Sequence, residues 1–145
     1  MSHPCIIILF MLLFIFPLEQ LITACFLSGK YHIHVIDALG SGSSELKIHC
    51  ASKQDDLGYH TLSNTQEFTW EFCEHFFDRT MYFCHVWWGS KESNWEVFND
   101  PGNCIHQGQV PVGTNTCVWV INPDGFYLGY YQDNGTLWKY KNHGW

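Results

Sequence analysis

The sequence predicts an all-β protein, a small antiparallel β-sandwich of about eight strands. Three observations carry that expectation. Short segments alternating apolar and polar residues recur at roughly 8–12-residue spacing, clusters of Gly, Pro, Asn, Asp and Ser separate them, and no segment of useful length has a helical period. Composition agrees: aromatic residues are 17% of the 145 and charged residues only 14%, which argues against disorder and for a core of large planar side chains.

Residues 31–38 are β-branched and aromatic, and Gly40-Ser41-Gly42-Ser43-Ser44 reads as a flexible hairpin loop to the next strand. There Leu46, Ile48 and Cys50 alternate with Lys47, His49 and Ala51, which puts a thiol on a core face. The exit is a polar turn in which the Asp55 and Asp56 carboxylates accept backbone N–H bonds and Gly58 takes positive φ. Residues 67–73 form an amphipathic strand, 79–88 a strand apolar on both faces, and 94–98 a short strand stopped by Asn-Asp-Pro-Gly-Asn. Residues 104–115 read as an irregular connection before a strand at 116–121. Two hairpins complete the chain: Asn122-Pro123-Asp124-Gly125 leads to residues 126–131, and Asp133-Asn134-Gly135 leads to 136–141.

The apolar run at residues 5–16, closed by Pro17, falls short of the about 20 residues a membrane-spanning helix needs. It ends in the small residues Thr23 and Ala24 and in Cys25, so residues 1–25 read as a secretory signal peptide cut near 24/25, leaving one domain at 26–145. The expectation is an extracellular protein with no integral membrane segment once the leader is gone. An oxidising compartment makes thiols into cross-links. Removing Cys5 with the leader, and Cys25 if the cut follows it, leaves Cys50, Cys73, Cys84, Cys104 and Cys117, an odd number. Phe68, Trp70 and Phe72 share one strand face and Cys73 lies on the other, so Cys73 is the candidate free thiol. The other four allow three pairings, among which spacing does not choose.

A net charge of −7 leaves no basic stripe for nucleic acid or anionic membrane. Catalysis is not expected, because G-x-S-x-G, H-E-x-x-H and C-x-x-C are all missing, and His49 and Cys50, as strand neighbours, point to opposite faces. His32 and His34 share a face but bring no further ligand, and Asp55 with Asp56 reads as a pair of turn acceptors rather than an acid–base pair or a Ca²⁺ site. No cofactor is implied.

Four ordered blocks carry a resemblance: Leu-Lys-Ile-His-Cys-Ala-Ser-Lys-Gln-Asp-Asp-Leu-Gly at 46–58, Phe-Thr-Trp-Glu-Phe at 68–72, Arg-Thr-Met-Tyr-Phe-Cys-His-Val-Trp-Trp at 79–88, and Cys-Val-Trp-Val-Ile-Asn-Pro-Asp-Gly-Phe-Tyr at 117–127. The chain resembles the plant self-incompatibility protein S1 family, the S-protein homologues. The resemblance implies a small secreted β-sandwich with two disulfides, whose characterised relatives are stigma-secreted ligands that trigger rejection of self pollen, and a receptor protein at the cell surface as partner. The family's usual cysteines match Cys50, Cys84, Cys104 and Cys117. The favoured pairing is Cys50 with Cys117 and Cys84 with Cys104, since Cys50 and Cys117 both sit on core faces, with the other pairings open. Two positions depart from the family: Asp37 stands where Asn is common, and Cys73 is additional.

The rival function is a carbohydrate-binding or defence-related module, because Trp87, Trp88, Trp95, Trp119, Trp138 and Trp145 are more than a small core needs, and exposed Trp stacks on sugars. Cell-wall glycan is the corresponding partner. For a ligand, specificity is expected on the loops at 74–78, 89–94 and 40–44, with Glu74, Asp78, Lys91 and Glu92 supplying charge. Asn134-Gly135-Thr136 is an N-glycosylation sequon on a hairpin tip, whereas the Asn115-Thr116-Cys117 site is consumed by a disulfide.

Overall fold

Period-two alternation produces two stacked sheets in the computed structural model, which describes residues 25, 29–74, 80–99, 104, 110–111 and 113–145. The strands are β1 (Lys30–Asp37), β2 (Leu46–Ser52), β3 (Asp56–Leu62), β4 (Glu67–Cys73), β5 (Met81–Trp88), β6 (Lys91–Asn99), β7 (Thr116–Asn122), β8 (Gly125–Tyr131) and β9 (Leu137–His143). One sheet has the order β4-β1-β7-β8-β9 and the other β3-β2-β5-β6. The β1–β7 ladder is parallel and the other described ladders are antiparallel.

Three elements differ from expectation. The Gly40–Ser44 segment is not a hairpin loop, because β1 and β2 belong to different sheets and the segment crosses between them. A ninth strand, β3, begins at Asp56, inside the stretch read as a turn. It is an edge strand whose mixed burial hides the alternation that marks a half-buried strand. β6 starts at Lys91, so only Gly89 and Ser90 turn between β5 and β6, with Gly89 at φ 57°.

The core lies between the sheets. Ile33, Val35, Trp119, Ile121, Phe126 and Leu128 from one sheet meet Leu46, Ile48, Val86, Trp95, Val97 and Phe98 from the other, all buried. Trp119 fills this interior and Trp95 joins it, edge-on, at 5.9 Å between ring centroids. Trp70 of β4 is only partly buried and packs against this core. A bulge in the β5–β6 ladder sets Tyr82 opposite Phe98 and Phe83 opposite Glu96, leaving Val97 with no partner residue. The Trp119 Nε1–H crosses the core and donates to the Val97 carbonyl at 3.0 Å. A bulge thus frees an acceptor and the opposite sheet satisfies it.

The cystines correct the expected pairing. Cys50 bonds Cys84, and Cys104 bonds Cys117. Cys50 and Cys84 are directly opposite on neighbouring strands, with Cα atoms 4.1 Å apart. Cys50 and Cys117 both face the core but from opposite sheets, and stacked sheets lie about 10 Å apart, beyond the about 7 Å that a disulfide spans. Among the described residues there are three disulfides rather than two. Cys73 is no free thiol: it bonds Cys25. Its position on the outward side of β4 is where a segment outside the sandwich can reach it; the assignment of Cys25 to the leader had removed its partner. Loops closed over 48, 34 and 13 residues each stabilise by about 3–4 kcal/mol on the chain-entropy model.

Asp37, the inward-facing end of β1, is wholly buried. Its Oδ1 accepts the Leu39 N–H at 2.8 Å, while Oδ2 has no hydrogen-bond partner. Burial pushes the carboxyl above the usual carboxylate range, and the Leu39 bond opposes that only in part. A raised folded-state value means that the contribution to stability is complete below the unfolded-state value and is lost as pH rises through the folded-state one. Asp37→Asn removes the ionisation. The variant should melt above wild type at pH 7 by at least about 2 °C, the shift roughly 1 kcal/mol makes in a domain of this size, and the difference should vanish near pH 3. Melting curves from pH 3 to 8 check it; a gap independent of pH would show that the carboxyl charge is not the cause.

Candidate recognition surface

The outer face over β1 and β4 and the outer face of the four-stranded sheet differ in chemistry. On the five-stranded sheet, β1 and β4 present cross-strand ion pairs: Lys30 Nζ lies 2.7 Å from Glu71, His32 3.6 Å from Glu71 and His34 3.1 Å from Glu67. The Lys30 bond, chiefly, holds the Glu71 carboxyl below its ordinary range. This part of the face is polar and solvated. His32 and His34 each meet a carboxylate of β4, and among the described residues no cluster of three or more His, Cys, Asp or Glu side chains forms a metal site.

The four-stranded sheet turns rings outward. Strand alternation that sends Leu46, Ile48 and Cys50 inward must send Lys47, His49 and Ala51 outward, and the β5 register adds Phe83, His85 and Trp87 beside them. Tyr59 of β3 lies opposite His49 and is 62% exposed; Phe83 is 49% exposed. His49 stacks on Tyr59 at 4.4 Å and His85 on Trp87 at 3.9 Å, while the Tyr59 and Trp87 rings are 5.9 Å apart. The Lys47 ammonium completes the group, 4.6 Å from the Tyr59 centroid and 5.4 Å from that of Trp87. Exposed aromatic rings in one cluster are the surface feature most often spent on binding.

The sequence-predicted turn is what orients this cluster. Ser52 Oγ accepts the N–H groups of Gln54 and Asp55, and the Ser52 N–H donates to the Asp55 carbonyl. Asp55 therefore acts through its backbone. Asp56 Oδ1 receives the Gly58 N–H at 2.9 Å and lies 2.7 Å from His49 Nε2. The Gly58 bond first, then His49, holds the Asp56 carboxyl below its usual range. Gly58 has φ 74°, a conformation that glycine adopts without strain. Asp56 and Gly58 lie in β3 rather than in the turn, and the contact of the Asp56 carboxylate with the His49 imidazole holds that ring against Tyr59.

Ala51, the smallest residue of the outward row, opens a shallow notch of about 320 Å³ walled by His49, Phe83, His85 and Asn94. Glu92 and Glu96 stand on the adjoining β6 row, opposite Trp87 and Phe83. A larger depression of about 600 Å³ beside Thr116, Val118 and Gln132 has Tyr131 as its one strongly exposed ring.

Of the charged residues expected to mark recognition loops, the described ones, Glu74, Lys91 and Glu92, are not gathered. Glu92 lies on the aromatic face, 3.8 Å from His85. Lys91 donates to the Pro123 carbonyl at 3.1 Å and sits 5.2 Å from the Trp88 ring, which ties β6 to the β7–β8 turn. Glu74 follows β4, where its N–H donates to the Gly29 carbonyl. That is the end of the β1–β4 pair opposite the Gly40–Ser44 loop. Asp78 lies outside the described residues. The structure does bring loops 40–44 and 89–90 together, around a depression of about 400 Å³ with Trp88 and Lys91. Asn134 is exposed at the β8–β9 turn and its Oδ1 accepts the Thr136 N–H at 2.9 Å.

Comparison with known proteins places the chain. Residues 32–145 match the family described as plant self-incompatibility protein S1. The chain belongs to this family. It is 32% identical over 100 residues to S-protein homolog 1 of Arabidopsis thaliana, covering 69% of this chain and 63% of that protein. It is 34% identical over 87 residues to S-protein homolog 5 of the same plant, covering 58% and 60%. Self-incompatibility protein S1 of Papaver rhoeas is 29% identical over 113 residues, covering 74% and 72%. The chain therefore spans about three fifths of the length of the two Arabidopsis relatives. No solved structure matches it. Among the described residues no helix is long and apolar enough to cross a membrane.

The half-exposed rings separate binding from folding. Phe83→Ser should change stability by no more than about 0.5 kcal/mol, as surface substitutions do, whereas Trp119→Ala, which also orphans the Val97 carbonyl, should cost about 3–5 kcal/mol. Urea unfolding monitored by fluorescence checks both; a large loss for Phe83→Ser would make that ring a structural one.

Proposed function

We propose that this protein is a secreted recognition ligand of the self-incompatibility type, which signals by binding a receptor at a cell surface, and that the outer face of the β3-β2-β5-β6 sheet is where it binds. Family membership supports the first statement. The observation that carries the second is the exposed Tyr59 and Phe83 clustered with Trp87, His49 and His85 on one rigid face. Aromatic anchors on a preorganised surface bind with little loss of conformational freedom. Loops 40–44 and 89–90 adjoin one another where β5 ends after Trp87, and in this reading they adjust specificity at the edge of the face.

The N-terminal segment acts as a secretory leader, and the Cys25–Cys73 bond supports a cut that keeps Cys25, so that the leader ends at Ala24. Asn134 is the position read as carrying an oligosaccharide, on an exposed turn remote in sequence from the aromatic face.

Two measurements test this reading. Fluorescently labelled protein should bind pollen and stigma surface membranes, and Tyr59→Ser with Phe83→Ser and Trp87→Ser should abolish that binding while an exchange of residues 40–44 alters only its selectivity. Full binding by the triple variant would return recognition to the loops. The secreted protein should have the mass of a chain starting at Cys25, with Cys73 resistant to alkylation before reduction; a chain starting later with Cys73 alkylated would refute the assigned cut.

A further inference from the structure

The notch on the aromatic face has a composition that selects among ligands. Its floor is Ala51 and Cys84, its walls are His49, Phe83, His85 and Asn94, and its volume of about 320 Å³ is at the small end of the roughly 300–1,000 Å³ of small-molecule sites. Phe83 is half exposed. The wall therefore offers an apolar ring, an amide and two imidazoles, in an open depression on a sheet face.

Charge narrows the class. The surrounding rows hold Asp56, Glu92 and Glu96 against the single lysine Lys47, so an anionic ligand meets a net negative rim. A cationic peptide meets a different obstacle. Lys47 already stands over both Tyr59 and Trp87, at 4.6 and 5.4 Å, and occupies the cation–π position that a partner's Lys or Arg would use. Asp56 is engaged by the Gly58 N–H and His49, and Glu92 faces His85 at 3.8 Å. What the notch leaves open is the Phe83 ring surface with the Asn94 amide beside it.

We infer that the notch binds one residue of a neutral, β-linked glucan chain. A glucopyranose with all substituents equatorial has flat C–H faces that lie against an aromatic ring such as Phe83, and its hydroxyls take the Asn94 amide as a hydrogen-bonding partner. The sheet face on either side is open, so the chain continues past the notch instead of ending in it. This inference rests on reading the same face as the recognition surface, and it makes a wall glucan a ligand of that face.

The test uses the full mature protein with cellohexaose, mannohexaose and oligogalacturonate as probes, in titration calorimetry and in amide shift mapping. Cellohexaose should bind and shift the amides of Ala51, Phe83 and Asn94. Phe83→Ala should weaken it about tenfold, with the fold verified by an unchanged melting curve. No shifts at millimolar cellohexaose, preference for mannohexaose or oligogalacturonate, self-association through this face, or undiminished affinity of Phe83→Ala would each overturn the inference. The two readings fail separately. Loss of cell-surface binding in the triple ring variant together with no glucan binding leaves the recognition face standing and removes the glucan. Glucan binding that Phe83→Ala weakens, with cell-surface binding intact in the triple variant, does the reverse.

Discussion

The Trp119 indole is the interaction on which the two-sheet arrangement turns. Sheet stacking by apolar side chains is non-directional, so it favours contact without favouring one registration. The Nε1–H bond to the Val97 carbonyl is directional, and it forms because the β5–β6 bulge leaves that carbonyl outside the ladder. Sliding one sheet on the other would strand a buried donor and a buried acceptor together, at about 1–3 kcal/mol each. The bulge also turns both Val97 and Phe98 into the core, so that one irregularity sets both the hydrogen bond and the packing around it.

Most of the strand framework was legible because it depends on local alternation. Ile33 and Val35, Leu46 and Ile48, Phe126 and Leu128 each declare a face, and the turns at Asn122–Gly125 and Asp133–Gly135 join strands that do pair. What stayed hidden depends on neighbours distant in sequence. β3 lies at an edge, with Asp56 and Gly58 in its first half, so that its residues look like the continuation of a turn. The cystine pairing requires knowing that Cys50 and Cys84 are on adjacent strands and that Cys117 is on the facing sheet. Cys73 read as spare only because its partner had been assigned to the leader.

The recognition surface was hidden for a related reason. Lys47, His49, His85 and Trp87 alternate correctly with core residues, so each reads singly as an ordinary outward position. Only the lateral order β3-β2-β5-β6 sets Tyr59, His49, His85 and Trp87 side by side. The loop residues singled out for their charge are instead spent on structure or dispersed: Lys91 ties β6 to the β7–β8 turn, and Glu92 joins the face as the neighbour of His85. Strands are stiffer than loops, and a face built on them presents its rings in one geometry.

The parallel β1–β7 ladder has a consequence for the order in which the chain folds. β1 sits between β4 and β7, and its pairing with β7 joins residues 32–37 to 116–121. Contacts of such separation carry a large loop-closure cost before any stabilisation is gained. During synthesis, Ile33 and Val35 emerge early and remain without their final neighbours until nearly the whole chain has followed. The five-stranded sheet is consequently the late-forming half, while β2, β3, β5 and β6, drawn from residues 46–99 and already cross-linked by Cys50–Cys84, comprise a more local unit able to form first. The half of the sandwich bearing the aromatic face is therefore the one whose assembly waits least on the rest of the chain.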